Sequence, residues 1–244
     1  MYSIQRPSER VMVCFHGSGD SYEIANQLDK VSCITSTLVS FNFPEHHLKD
    51  KRVKGVYDYR KASFGTINEL MPALFVLKEV VVNQGCRSID LYGFSAGGGV
   101  LINVIKILKS STYDNILQQY GVDVSDKEQI FHAIQRGTIV LDTPLKSIEE
   151  IIDYRGFSDE MEHLAANYRL NGFRPIDSIH SLKGEQLKII LHFQVNDEIL
   201  SNRDDALFIE RMIEVQPSTV ISIGEDGGHL SYHRSLWETY SKEN

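Results

Sequence analysis

The 244-residue sequence is poor in cysteine, has no long apolar run and carries no excess of positive charge. Its three cysteines are widely spaced and form no C-x-x-C pair, which argues against a disulfide framework or a cysteine-based metal site and favours a reducing compartment. The net charge of −8 argues against a general nucleic-acid-binding protein. No segment reaches the roughly 18 consecutive apolar residues of a transmembrane helix. We therefore expect an ordinary globular protein with no nucleic-acid partner and no membrane span.

Residues 1–10 also lack the apolar stretch of a secretory signal. We therefore expect a cytoplasmic protein, with export by a route that needs no such signal left open. The glycine-rich stretches match neither G-x-G-x-x-G nor G-x-x-x-x-G-K-[ST], so no nucleotide cofactor is expected, and no metal site is expected either. The sequence leaves the oligomeric state open.

Short apolar runs alternate along the chain with segments of helical periodicity. Six strands are predicted, at 11–15, 37–41, 88–92, 138–141, 187–193 and 219–223. Such alternation predicts a mostly parallel sheet covered by helices on both faces, a three-layer α/β/α sandwich. Right-handed crossovers then bring the carboxyl ends of the strands to one edge, where such sheets bind ligands. We expect a single α/β domain over 1–244, with residues 145–182 as a small helical cap or lid inserted into it.

The stretch most informative about chemistry joins an apolar run to Gly93-Phe94-Ser95-Ala96-Gly97. An apolar helical pattern follows at once. A G-x-S-x-G turn between a strand and a helix predicts a nucleophile elbow, in which a strained backbone presents the serine hydroxyl at the sheet edge. Glycine is needed on both sides because a Cβ there would collide across the turn. Ser95 is therefore the predicted nucleophile.

Other polar groups follow the predicted strands and are expected at the same edge. A serine hydroxyl needs a neighbouring base, and the base needs a carboxylate that fixes its tautomer. His229, after the last strand, is the predicted base, and Asp197, after the penultimate strand, is the predicted acid. Asp142 and Glu198 stay open as alternative acids. Apart from His16, which follows the first strand, the remaining histidines, His233 among them, have no comparable position at a strand end.

The loop after the first strand, His16-Gly17-Ser18-Gly19-Asp20, is predicted to supply part of an oxyanion hole. Attack on an ester creates an oxyanion that needs two preorganised N–H donors. The backbone N–H of Ala96 is the first predicted donor, and that of Ser18, or of Gly17, is the second. His16 is the main competitor for the role of base, but we expect it to order this loop instead.

Taken together, the sequence resembles the α/β-hydrolase superfamily over nearly its whole length. The resemblance is carried by His16-Gly17-Ser18-Gly19-Asp20, Gly93-Phe94-Ser95-Ala96-Gly97-Gly98, Asn196-Asp197-Glu198-Ile199-Leu200 and Gly227-Gly228-His229. The first stretch, the elbow and the small size look most like the branch of carboxylesterases, phospholipases and acyl-protein thioesterases. The resemblance implies a nucleophile at Ser95, an acid at Asp197 and a base at His229. The sequence departs from that branch at Ala96, where glutamine is usual, and at Ser18, where an apolar residue is usual.

These features predict a cofactor-independent serine hydrolase that cleaves a carboxylic ester or thioester through a Ser95–His229–Asp197 triad and an acyl-enzyme. The expected substrate is a small-molecule or acyl-chain ester. Two other functions stay open: acyl transfer to an alcohol by the same groups, and a non-catalytic interaction protein on a hydrolase scaffold. The sequence does not predict the acyl length, the leaving group, or the roles of the cap and of the basic segment 49–61.

Overall fold

The computed structural model describes residues 1–5, 10–17, 21–31, 33–43, 65–150, 159–200, 204–225, 227–229 and 233–244, with residues 159–161 described for their backbone alone. The basic segment 49–61 lies outside these ranges. Within them the strands are β1 (Tyr2–Ile4), β2 (Val11–Phe15), β3 (Thr37–Ser40), β4 (Ile89–Phe94), β5 (Thr138–Asp142), β6 (Lys188–Gln194) and β7 (Val220–Gly224). They form one sheet in the order β1-β3-β2-β4-β5-β6-β7.

The sheet is parallel except at one edge, where β1 runs antiparallel to β3. This confirms the predicted mostly parallel sheet and corrects its strand count, because β1 was not among the six predicted strands. A three-residue strand is too short to show a hydrophobic period, and β1 exists through its pairing with β3.

The described helices are α1 (Ile24–Leu28), α2 (Ile67–Lys78), α3 (Ala96–Lys109), α4 (Asp114–Gln119), α5 (Val124–Gln135), α6 (Asp159–Leu170), α7 (Pro175–Ser178), α8 (Asp205–Val215) and α9 (Arg234–Glu243). A π-helical turn, Glu79–Asn83, extends α2, and 3₁₀ turns occupy Ser111–Tyr113 and Ile179–Leu182. Within the described ranges, no helix has both the length and the apolar character needed to cross a bilayer.

Alternation of side chains along the strands gives the sheet two buried faces. On one face, Val13 and Phe15 of β2 belong to an apolar cluster that includes residues of α2, α3, α5 and α8. On the other, Met12 and Cys14 belong to a cluster with residues of α1 and α9. Strand β2 is apolar throughout because helices cover both of its faces. The predicted three-layer sandwich is thereby confirmed.

The segment from 145 to 182 joins β5 to β6, and part of it packs along α3. The side-chain amide of Asn103 in α3 donates to the carbonyl of Phe173 at 2.6 Å. Its oxygen accepts from the hydroxyl of Ser178 at 2.7 Å. Residues 151–158 lie outside the described residues, and the cap stays a prediction.

The register of the parallel strands aligns Phe94, Asp142, His192 and Ser222 in one row across β4, β5, β6 and β7. This row lies at or near the carboxyl ends of the strands. Ser95 follows the first member of the row directly. The loops after these strands therefore leave the sheet at a single edge, which is where open α/β sheets bind ligands.

Candidate active site

Ser95 connects β4 to α3 through a strained backbone, with φ 52° and ψ −121°. Among the described residues, Ser95 and Thr143 are the non-glycine residues with positive φ. The N–H of Ser95 donates to the carbonyl of Asp142 at 3.0 Å, and its carbonyl accepts from the N–H of Leu145 at 2.8 Å. These bonds, one to the last residue of β5 and one to the segment that follows it, maintain a conformation that an isolated chain would avoid. The geometry is the one that a nucleophile elbow requires, and the catalytic role of the serine stays a prediction.

Glycine at 97 allows α3 to begin against the end of β2. A Cβ on Gly97 would lie 2.4 Å from the carbonyl oxygen of Phe15 and 2.5 Å from that of His16. A Cβ on Gly17 would lie 3.3 Å from the Cβ of Ser95. The backbone after β2 therefore passes beside the serine, where an oxyanion donor would be needed.

Of the predicted oxyanion donors, Ala96 and Gly17 are described and Ser18 lies outside the described residues. Ala96 begins α3, and the first N–H groups of a helix have no partner within it and carry partial positive charge. The N–H of Phe43 donates to Nε2 of His16 at 3.2 Å, so the Nδ1–H of His16 donates to the carbonyl of Gly17 at 2.7 Å. These bonds agree with the expectation that His16 orders this loop.

The imidazole of His229 is paired with the carboxylate of Asp197. Nδ1 of His229 lies 2.6 Å from Oδ2 of Asp197, and the two side chains are 2% and 5% exposed. An ionised carboxylate only accepts, so Nδ1–H donates and Nε2 is left as the basic nitrogen. The other oxygen, Oδ1, accepts from the backbone N–H groups of Ile199 at 2.8 Å and Leu200 at 2.7 Å. The carboxylate is therefore bonded on both oxygens, which fixes the orientation of the ring.

Asp197 is held in its ionised form in spite of its burial. Burial raises the pKa of this carboxyl, but the hydrogen bond from His229 and the two backbone N–H groups outweigh that effect, and the pKa ends below its usual value. A carboxylate ionised in this way can stabilise the imidazolium that forms when His229 accepts a proton.

The His229 ring also packs against Phe94, the residue directly before Ser95. The centroids of the two rings are 5.0 Å apart. The predicted base therefore lies against the end of β4, beside the turn that carries the predicted nucleophile.

The two alternative acids have other partners. Glu198 accepts the backbone N–H of His229 on Oε2 at 2.8 Å. Asp142 pairs through Oδ1 with Nδ1 of His233 at 2.6 Å, and its Oδ2 accepts from the hydroxyl of Tyr92 at 2.7 Å. Among the contacts of the described residues, the acid that reaches the His229 imidazole is Asp197.

His233 is a residue of this site that the sequence analysis did not identify. Its ring centroid lies 6.4 Å from that of Phe94 and 4.9 Å from that of His192. The available signal was its spacing, because His233 follows His229 by four residues and directly precedes α9. Both imidazoles lie against the ring of Phe94.

Three buried side chains, Asp142, His192 and His233, each offer a potential metal ligand within 4.8 Å of the others. They are the one such group in the part of the chain that the structure describes. Both ring nitrogens of His192 and both of His233 already have hydrogen-bond partners. We therefore interpret the group as a hydrogen-bonded network within the protein.

The sequence matches no protein-family model and no curated protein. The fold, however, is similar to those of solved esterases. An esterase of Pyrococcus furiosus superposes with a TM-score of 0.59 at 16% identity, over 99% of this chain and 82% of that one. A carboxylesterase of Lactobacillus plantarum gives 0.58 at 16% identity, over 91% and 73% of the two chains. A lipase-esterase related protein of Clostridium acetobutylicum gives 0.57 at 14% identity, over 99% and 97%. At these identities the comparison shows the fold, which is that of the α/β-hydrolases.

Proposed function

We propose that this chain is a serine hydrolase that cleaves a carboxylic ester or thioester through Ser95, His229 and Asp197. The observation that carries the proposal is a strained serine turn at the same sheet edge as a buried histidine–carboxylate hydrogen bond of 2.6 Å. The similarity in fold to proteins described as esterases supports an ester bond as the target.

In the proposed acylation step, Nε2 of His229 takes the hydroxyl proton of Ser95 while the serine oxygen attacks the carbonyl carbon of the ester. Asp197 keeps the Nδ1–H donor in place and stabilises the resulting imidazolium. The imidazolium then gives its proton to the departing alcohol or thiol. The product of this step is an acyl ester on Ser95.

In the proposed deacylation step, His229 removes a proton from a water molecule, which attacks the acyl carbon and releases a carboxylic acid. Both steps pass through an oxyanion, for which the N–H of Ala96 and that of Gly17 or Ser18 are the proposed donors. The positive end of the α3 dipole favours the negative charge at that point. This chemistry requires no cofactor.

The experiment that tests the proposal compares Ser95→Ala with the unmodified protein on p-nitrophenyl esters of increasing acyl length and on an acyl thioester. We expect kcat to fall by at least about 10³-fold, because the nucleophile is lost and only binding and oxyanion stabilisation remain. Ser125→Ala, a matched change at an exposed serine of α5, is the control and should keep the full rate. Unchanged hydrolysis by Ser95→Ala would refute the proposal.

A further inference from the structure

A second acid–histidine pair lies beside the proposed one and has no part in the mechanism above. Nδ1 of His233 lies 2.6 Å from Oδ1 of Asp142, and both residues are 3% exposed. The hydroxyl of Tyr92 donates to the other carboxylate oxygen at 2.7 Å. The His233 ring is therefore oriented from this side in the same way as the His229 ring is by its own carboxylate.

The opposite side of the His233 ring faces the peptide group between Gly228 and His229. Nε2 of His233 lies 3.4 Å from the carbonyl oxygen of Gly228. The N–H of the same peptide group, which belongs to His229, donates to Oε2 of Glu198 at 2.8 Å. A peptide group is planar, so contacts at both its oxygen and its nitrogen fix the orientation of the whole group. The Cα of His229 lies in that plane, so the same contacts position the atom that carries the His229 side chain.

The close approach of Glu198 to this peptide group requires glycine at 228. A Cβ on Gly228 would lie 1.9 Å from Oε2 of Glu198, far inside van der Waals contact. A side chain there would displace the carboxylate from the N–H of His229. The second glycine of the Gly227-Gly228-His229 motif therefore has a physical role in orienting the histidine that follows it.

Both contacts of His233 require the ring to act as a donor. A carboxylate accepts at Nδ1 and a carbonyl oxygen accepts at Nε2, so only the imidazolium, with a proton on each nitrogen, satisfies both. Burial lowers the pKa of His233, but the hydrogen bond and charge of Asp142, together with the Gly228 carbonyl, outweigh burial and raise the pKa above its usual value.

The surroundings of His233 favour a single positive charge at this position. The titratable groups around it are Tyr92 of β4, Asp142 of β5, His192 of β6 and, on a flanking loop, Asp197. The His229 ring packs against the same Phe94 ring as His233 does. Burial lowers the pKa of His192 to about 4, so this neighbouring ring is neutral near pH 7. The imidazolium of His233 therefore has an anionic carboxylate on one side and, in His192, a neutral ring beside it.

We propose that His233, as an imidazolium bridging Asp142 and the Gly228 carbonyl, is a positioning residue that directs His229 toward Ser95. The inference rests on the proposed function. His233 acts through the 228–229 peptide group, so its loss should lower kcat and leave KM nearly unchanged. The bridge is present below the pKa of His233 and is lost as the pH rises through it, so kcat should decline on the alkaline side.

The test compares His233→Asn with His192→Asn, which makes the same change at an adjacent buried histidine bonded to Ser222 and Gln194. Misplacing a catalytic group by about 1 Å can cost on the order of 10²-fold, so we expect kcat of His233→Asn to fall by about 10- to 100-fold. Its KM should stay nearly unchanged, and the alkaline decline of kcat should disappear. The folded His192→Asn protein should keep both kcat and the decline. Wild-type kcat with an unchanged pH profile in His233→Asn would overturn the inference.

A second measurement on the unmodified protein decides the question if His233→Asn does not fold. Nitrogen-15 NMR of its histidines should show protons on both ring nitrogens of His233 above pH 6.5, about where an unperturbed histidine loses its charge. A neutral His233 ring at pH 7 would overturn the inference.

Ser95→Ala, assayed in parallel, separates the two proposals: an active Ser95→Ala overturns the proposed function. An inactive Ser95→Ala beside an unaffected His233→Asn overturns the positioning role alone.

Discussion

Exchanging Asp197 for asparagine tests the proposed acid through the tautomer of His229. Oδ1 of Asp197 already accepts the backbone N–H groups of Ile199 and Leu200, so the amide oxygen of an asparagine should occupy that position. The amide NH₂ group would then take the place of Oδ2, 2.6 Å from Nδ1 of His229. Two donors cannot face each other, so the imidazole would carry its proton on Nε2 and could no longer accept the proton of Ser95.

We expect this change to lower kcat for ester hydrolysis by about 10⁴-fold, the cost found when a triad histidine is held in the wrong tautomer. That factor corresponds to about 5 kcal/mol of transition-state stabilisation. The side chains are nearly isosteric, so KM and the melting temperature should change little. Asp177→Asn, the same chemical change at an exposed surface carboxylate, is the control and should keep the full rate. A loss below tenfold, or a larger loss in Asp142→Asn, would show that the acid is wrongly assigned.

Two further predictions concern stability. Gly97→Ala should lower the free energy of unfolding in urea by about 3 kcal/mol, because the new Cβ would lie 2.4 Å from the Phe15 carbonyl oxygen. Gly121→Ala, at φ 77° with no atom near the new Cβ, should lower the free energy of unfolding by only about 1 kcal/mol. A larger loss in Gly121→Ala than in Gly97→Ala would contradict the packing argument. Burial lowers the pKa of His192 to about 4 in the folded protein, whereas the pKa in the unfolded chain is about 6.5. The stability that depends on a neutral His192 is therefore fully present above pH 6.5 and is lost as the pH falls toward 4. The free energy of unfolding should fall by about 3 kcal/mol over this pH range, and the fall should be absent in His192→Gln. If the free energy of unfolding of His192→Gln depended on pH as that of the unmodified protein does, the assignment would be refuted.

The features that could be predicted from sequence are those that a local pattern encodes. The turn at 93–97 is specified by two glycines between a strand pattern and a helix pattern, and the structure has a strained Ser95 there. The alternation of strand and helix patterns likewise predicted a parallel sheet with both faces covered, because each pattern reports burial within a few residues. Strand β1 carries no such pattern, since it depends on its pairing with β3.

The pairing of His233 with Asp142 could not be predicted because it depends on contacts between distant parts of the chain. Asp142 and His233 are 91 residues apart, and the sheet register and the start of α9 bring them together. Which of the three candidate acids pairs with the His229 ring could not be predicted for the same reason. Glu198 and Asp197 are neighbours in sequence, yet one bonds the backbone of His229 and the other its ring. Spacing along the chain carries no information about which atom of His229 each acid reaches.

Covalent labelling tests most directly whether Ser95 is an activated nucleophile. The native protein would be treated with a fluorophosphonate probe at neutral pH, digested, and its peptides mapped by mass spectrometry. We predict a single adduct on the peptide that contains Ser95, with labelling abolished in Ser95→Ala and strongly slowed in Asp197→Asn. A folded protein whose Ser95 does not react, or whose adduct lies on another residue, would contradict the account.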